Sequence, residues 1–388
     1  MYDFNKIIPR KNTNSAKWDR IINKYDNPEI LPFWLADMDL LPFPELIEEI
    51  QYYSYNNILG YFEIPDTLYS EIIHWEYRHY CHKLTRNEIF FSPSVVTSIS
   101  IAIQAFTKQG ESVLINEPVY SQFSKIIQLN ERNLVINELL KKNCRFEIDI
   151  EKMEQQIILN NVKLYILCNP HNPGGRVWTK QELKKIGDLC KKHKIIVISD
   201  EIHQDLVFKP HKHISFSLVD SSFDDFTIKL TSATKSFNIA ALKCSMAFIK
   251  NSVLREKFFF QSQKNNLHEI NTLGYIGTEI AYRNGDIYLE ELKNYIQKNI
   301  TIFCNYLKIH LPRIKYMYPE GTYLIWLDFS SFGLNDKELY NKLIFEAQIA
   351  LSPGVSFGNQ GQNHMRFNVA CPRKLLMEGL YRLKEVFS

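Results

Sequence analysis

No two of the seven cysteines are spaced as C-x-x-C, and their number is odd. Neither a disulfide framework nor a paired-thiol metal site is therefore expected. Cys81, Cys144, Cys168, Cys190, Cys244, Cys304 and Cys371 read as reduced thiols packed in the interior. No apolar run is long enough to span a bilayer. The opening stretch MYDFNKIIPRKNTNSAKWD lacks the apolar core of a secretory leader. Neither sign of charge dominates: 46 Lys and Arg face 43 Asp and Glu, a net charge of +3. That balance argues against nucleic acid and against an anionic membrane as partners. There is no Walker A loop, and no G-x-G-x-x-G follows a strand-like run. Internal repeats and low-complexity linkers are also missing. The HKH stretch (211–213) has no third metal ligand in evidence and reads as a surface loop. These absences predict a soluble, cytoplasmic protein.

What is present is an alternation. Between residues 89 and 250 short apolar runs recur: EIFFS, SVLIN, LVINEL, KLYILC, IIVIS, FTIKL and CSMAFI. Amphipathic stretches separate several of them. One, TKQELKKIGDLCKKHK, begins with Thr179 and has Glu182 three residues on, a capping box. Strands alternating with helices predict an α/β fold with a mostly parallel, seven-stranded sheet. The rhythm changes near residue 283. A long helical stretch, a hairpin-like IKYMYPEGTYLIWLDF, a helix DKELYNKLIFEAQ and a strand HMRFNVA predict a smaller α+β domain. The expected division is a large domain over 45–282 and a second unit made of 1–44 with 283–388. The segment LPFWLADMDLLPFP does not suit the large sheet. It is expected to pack on the small domain or line the cleft.

In an open parallel sheet, ligands bind beyond the carboxyl ends of the strands. Three strand-like runs end in polar loops: NPHNPGG (169–175), DEIH (200–203) and TSATK (231–235). A fourth, SPSVV (92–96), precedes a helix. A lone lysine is usually solvated, but Lys235 stands beside Ser232 and Thr234, whose hydroxyls suit a phosphate, and Lys243 can add positive charge. A lysine amine so placed can form a Schiff base with an aldehyde cofactor such as pyridoxal 5'-phosphate. Asp200 follows an apolar run and would keep the pyridine nitrogen of such a cofactor protonated; the competing reading is a helix N-cap. Asn172, in a stiff Pro- and Gly-rich loop, can reach the phenolic oxygen or be an ordinary turn residue. Tyr120 can stack on the ring or be a core tyrosine. Ser94, Val95 and Val96 stand at a helix start whose free amides suit an anion. Arg366 lies among apolar neighbours in a strand. It can bind a substrate α-carboxylate or sit in an internal salt bridge.

Four stretches, NPHNPGGRVWTKQEL, SDEIHQDLVF, SATKSFNIAAL and RFNVACPR, resemble the class I/II aminotransferase superfamily of fold-type I pyridoxal phosphate enzymes. The resemblance runs nearly the full length. PFWLADMDL and GYFEIPDTLYSEIIHW resemble its cystathionine β-lyase, or cysteine-S-conjugate β-lyase, branch. His203, where plain aminotransferases usually carry tyrosine, points the same way. The resemblance implies a homodimer with shared active sites and a small amino-acid substrate. Lys235, Asp200 and Tyr120 would carry the chemistry. Asn172, His203, Ser232, Thr234, Lys243, Val95 and Val96 would hold the cofactor. Tyr61 would reach the neighbour's cofactor phosphate, and Arg366, Asn172 and Tyr61 would contact substrate. Lys243 departs from the glutamine common in this branch, and Ala241 from a common glycine. The implied activity is α,β-elimination from an L-cysteine-S-conjugate, giving a thiol, pyruvate and ammonia. The alternatives are an aminotransferase, which shares the early steps, and a non-catalytic regulatory protein on the same fold.

Overall fold

The computed structural model describes residues 2–388. Each of the seven apolar runs becomes a strand of one sheet. They are β1 (Ile89–Ser92), β2 (Ser112–Glu117), β3 (Asn133–Glu138), β4 (Val162–Cys168), β5 (Ile196–Asp200), β6 (Thr227–Thr231) and β7 (Ser245–Phe248). Their order is β1-β7-β6-β5-β4-β2-β3. Strands β2 to β6 run parallel, and β7 is antiparallel to both its neighbours. The sheet is mixed and mostly parallel, as the pattern predicts.

The helices that matter below are α1 (Asp66–Tyr80), α2 (Val95–Phe106), α3 (Lys180–Lys192) and the single turn α4 (Ala233–Ser236). Covering both faces of the sheet explains why its strands are apolar throughout rather than alternating. Successive side chains still take opposite faces. Leu164, Ile166, Ile198, Ile228 and Leu230 pack with Val95, Ile99 and Ile103 of α2. Tyr165, Leu167 and Val197 pack with Leu183, Ile186 and Leu189 of α3. The predicted capping box starts α3: the Thr179 hydroxyl accepts the Glu182 amide at 3.2 Å, and the Glu182 carboxylate accepts the Thr179 amide at 2.8 Å. Ser94 caps α2 by accepting the Thr97 amide at 3.1 Å.

A second, antiparallel sheet has β8 (Lys315–Met317), β9 (Leu324–Asp328), β10 (Ser352–Pro353) and β11 (His364–Asn368) in the order β8-β9-β11-β10. The helix over DKELYNKLIFEAQ forms, but its second half, Lys342–Glu346, is a π-turn. The N-terminal segment joins this side of the molecule, with Leu31 pairing Ile349 and Pro32 pairing Ala350.

Two sequence expectations are corrected. Cys81 and Cys144 are exposed, and only the other five cysteines are buried. Both exposed thiols occupy left-handed positions, φ 56° at the end of α1 and φ 55° in a hairpin turn, where the chain is at the surface. In the HKH stretch His211 and Lys212 are exposed as expected, but the His213 side chain is buried. Its Nε2 lies 2.8 Å from the buried carboxylate of Glu201, which needs a partner once it leaves water. Among the described residues no helix is long and apolar enough to cross a membrane.

Candidate active site

Because β4, β5 and β6 are parallel, their carboxyl ends open on one edge of the sheet, and the three polar loops meet there. The NPHNPGG loop can turn tightly because Gly175 sits at φ +66°, and a Cβ there would lie 2.6 Å from Pro319. Asp200 ends β5 and is followed by turns, not by the helix that an N-cap would need. Together the loops enclose a cavity of about 260 Å³. Asn172, Asp200, His203, Tyr120, Lys235 and Arg366 line it. So do Ser94, Val95, Val96, Ser232, Thr234 and Lys243. Of the residues expected to bind cofactor or substrate or to carry the chemistry, Tyr61 alone is elsewhere. Its side chain is fully exposed, on the chain between two helices.

Three charged groups in the cavity lack the partners that burial demands. Asp200 is 5% exposed, and its carboxylate accepts one hydrogen bond, from the Ile202 amide at 3.1 Å. No cation pairs with it among the described residues, and burial pushes its carboxyl up to about 7. Arg366 is equally buried, yet it donates to neutral oxygens only: Asn172 Oδ1 at 3.1 Å, the Trp34 carbonyl at 2.7 Å and Ser352 Oγ at 3.1 Å. Its Nε has no partner, and burial lowers the guanidinium to about 10. The internal salt bridge considered for it is therefore absent among the described residues. Lys235 Nζ donates to the Ala36 carbonyl at 2.8 Å. Burial lowers its affinity for a proton, and Asp37 partly offsets this. His203 is neutral, since burial and the nearby Lys235 and Arg366 push it down to about 3, and its Nδ1 is unpartnered.

The N-terminal segment lines this cavity and pairs with the small-domain side, as expected; sequence reasoning missed which of its backbone groups do so. The carbonyls of residues 34–37 are held from both sides. Lys235 and Tyr323 donate to Ala36 at 2.8 and 3.2 Å. Asn368 donates to Leu35 and Asp37 at 2.7 and 2.8 Å. A faint signal existed, because Asn368 lies two residues from Arg366 in a strand and so shares its face. A larger groove, about 550 Å³, runs beside β8, but its buried charges satisfy one another: Arg176 bonds Glu320 at 2.7 Å and Glu182 at 2.6 Å.

The family model described as aminotransferase class I and II matches residues 33–383. The chain belongs to this family. It is 37% identical to the cystathionine β-lyase PatB of Bacillus subtilis over 386 residues, covering 100% of both chains. Its fold matches cystalysin from Treponema denticola, a structure that contains a pyridoxal 5'-phosphate cofactor, with a TM-score of 0.97 and 35% identity over 100% of this chain and 98% of that one. It also matches the pyridoxal phosphate-bound C–S lyase from Staphylococcus hominis, with a TM-score of 0.93 and 28% identity over 100% and 98% of the two chains.

The cavity of this aminotransferase-family chain suits such a cofactor. A buried carboxylate without a cation fits a protonated ring nitrogen. Ser94, Val95 and Val96, at the start of α2, line the cavity, and the free amides of a helix start suit an anion. The Ser232 and Thr234 hydroxyls, 2.7 Å apart, line the same cavity as Lys235.

Proposed function

We propose that the protein is a pyridoxal phosphate-dependent carbon–sulfur β-lyase. It cleaves cystathionine or another L-cysteine-S-conjugate, with water, to a thiol, pyruvate and ammonia. The observation that carries this reading is one cavity holding an amine, an unpaired buried carboxylate and an unpaired buried guanidinium, in a chain alike over its full length to a cystathionine β-lyase.

When bound, pyridoxal phosphate supplies a protonated ring that takes up the electron pair released at the substrate Cα. Asp200 would hold the proton on its ring nitrogen. The first-turn amides of α2, with Ser94, Ser232, Thr234 and Lys243, would hold the phosphate. Asn172 and His203 would face the ring substituents, and Tyr120 its plane. Lys235 would hold the aldehyde carbon and, once freed, take the Cα proton as general base. Burial helps here, since an amine with a lowered proton affinity is more often neutral. Arg366 would bind the α-carboxylate through its fork and so orient the Cα–H bond toward Lys235. The test is cystathionine alone, with no 2-oxo acid. Steady pyruvate release is expected. Turnover that begins only when a 2-oxo acid is added would replace this reading with an aminotransferase.

We also propose that the enzyme is a cytoplasmic homodimer. Seven unpaired cysteines suit a reducing compartment. Tyr55, Ile58, Leu59 and Tyr61 form an exposed apolar stretch that a second copy would cover. In that dimer Tyr61 would complete the partner's phosphate site. Co-expressing Lys235→Ala with Tyr61→Ala chains should then restore up to about a quarter of wild-type sites, because half the dimers are hybrids with one intact site each. No gain over Tyr61→Ala alone would place Tyr61 in its own subunit's site or outside any site. The large sheet lies within 45–282 and the small one within 283–388, with residues 31–32 paired to 349–350. On that basis we assign 45–282 as the cofactor domain and 1–44 with 283–388 as the second unit.

A further inference from the structure

The segment from Asp200 to Asp205 has two sides. Asp200, Ile202 and His203 line the cavity. Glu201, Gln204 and Asp205 turn instead into a separate buried polar cluster. Glu201 accepts from Ser199 at 2.8 Å, Ser215 at 3.1 Å and the Phe216 amide at 3.0 Å, and it lies 2.8 Å from His213. Gln204 donates to Glu76 of α1 at 2.8 Å. Asp205 accepts from Trp75 Nε1 at 3.2 Å, from the Tyr80 hydroxyl and from Ser236 Oγ at 2.5 Å.

The last contact matters because of what Ser236 adjoins. Ser236 follows Lys235 and closes α4, which is a single turn. One helical turn does not hold itself in water and takes its position from outside. Ser232 caps the start of α4, accepting the Thr234 amide at 3.1 Å. Ser236, fully buried, ties down its end. The carboxylate at the other end of that tie belongs to the loop that carries Asp200 and His203.

We infer that Asp205 and Ser236 are positioning residues that set the distance between the lysine turn and the acid loop. This rests on the proposal that Lys235 and Asp200 hold opposite parts of one rigid cofactor. A rigid ring gripped at two points tolerates little error between them. A displacement of about 1 Å can cost up to about a hundredfold in rate. Neither Asp205 nor Ser236 touches the cavity, so both act through Lys235 and its loop partner. The charged groups that act on the Lys235 amine are Asp37, Arg366, Asp200 and Lys243. Moving α4 changes the amine's distance to all four.

The experiment compares holoenzymes of wild type, Ser236→Ala, Ser236→Thr and Asp205→Asn. It follows thermal melting, the pH titration of the visible cofactor band, and kcat and KM on cystathionine. Ser236→Ala should melt near wild type, shift the band's midpoint by about half a pH unit or more, and lower kcat about tenfold with KM within about twofold. Ser236→Thr, which keeps the hydroxyl, should recover both. A Ser236→Ala enzyme with the wild-type midpoint and kcat overturns the inference. So does an activity loss that tracks the melting temperature while the midpoint stays put. If Asp205→Asn does not fold, the two Ser236 variants decide alone. A wild-type protein that develops no visible band with pyridoxal phosphate would instead overturn the proposed function on which the inference rests.

Discussion

Lys235→Ala protein, mixed with pyridoxal phosphate, should not develop the visible band of a lysine-linked cofactor, and its pyruvate release from cystathionine should fall by about a thousandfold or more. The size follows from two roles in one group, the covalent hold on the aldehyde and the removal of the Cα proton. Among the described residues no other lysine is placed to substitute. Lys243 also lines the cavity, but it is exposed and sits at φ 53°, eight residues further on and beyond the end of α4. Phosphate contacts would survive, so cofactor should still be retained without the bond. Absorbance after gel filtration and a coupled pyruvate assay check both halves. A variant with a normal band would remove Lys235 from the chemistry.

Lys229→Met is expected to destabilise the protein by about 3 kcal/mol while leaving every cavity residue in place. Lys229 Nζ lies 2.6 Å from Glu76 Oε2 and 3.6 Å from Glu201 Oε2. All three side chains are at most 1% exposed. Methionine matches the stem and drops the charge, so two carboxylates lose a buried cation. His82, 2.9 Å from Glu76, and His213, 2.8 Å from Glu201, soften the loss without replacing the lysine. The effect should depend on pH in a definite sense. Both carboxyls sit at about 2 in the folded protein, chiefly because Lys229 and a histidine oppose the cost of burial. They are thus depressed below their ordinary 4.5. Their contribution is complete above the ordinary value and is lost as pH falls from there toward 2. The deficit of Lys229→Met should therefore be largest near neutral pH and shrink below about pH 4, where protonated carboxyls no longer need a cation. Urea unfolding at several pH values reads this directly. A deficit that stays constant with pH would mean that the lysine matters for packing and not for charge.

The two expected results rest on unequal access from sequence. Lys235 could be picked out because its neighbours are local: a strand-like run before it and two hydroxyl residues beside it. Lys229 could not. It lies inside an apolar run, and its partner Glu76 is 153 residues away. Nothing local separates such a lysine from one at the surface. Glu201 was passed over for a related reason. It adjoins Asp200, and only the turn after β5 decides that one carboxylate enters the cavity and the other leaves it.

By itself the sequence determined the seven strands, the start of α3 at Thr179 and the meeting of three polar loops at one sheet edge. Those features depend on period, capping chemistry and parallel connectivity, all of which are written in neighbouring residues. The tertiary structure alone decided which backbone carbonyls meet the site residues and what lies beneath the cavity. The seat of the Lys235 amine is a backbone carbonyl 199 residues away, at Ala36, and the Arg366 fork takes another, 332 residues away, at Trp34. A carbonyl is the same in every residue, so no side-chain pattern can announce it. Only the folded path of the chain brings it within hydrogen-bond reach.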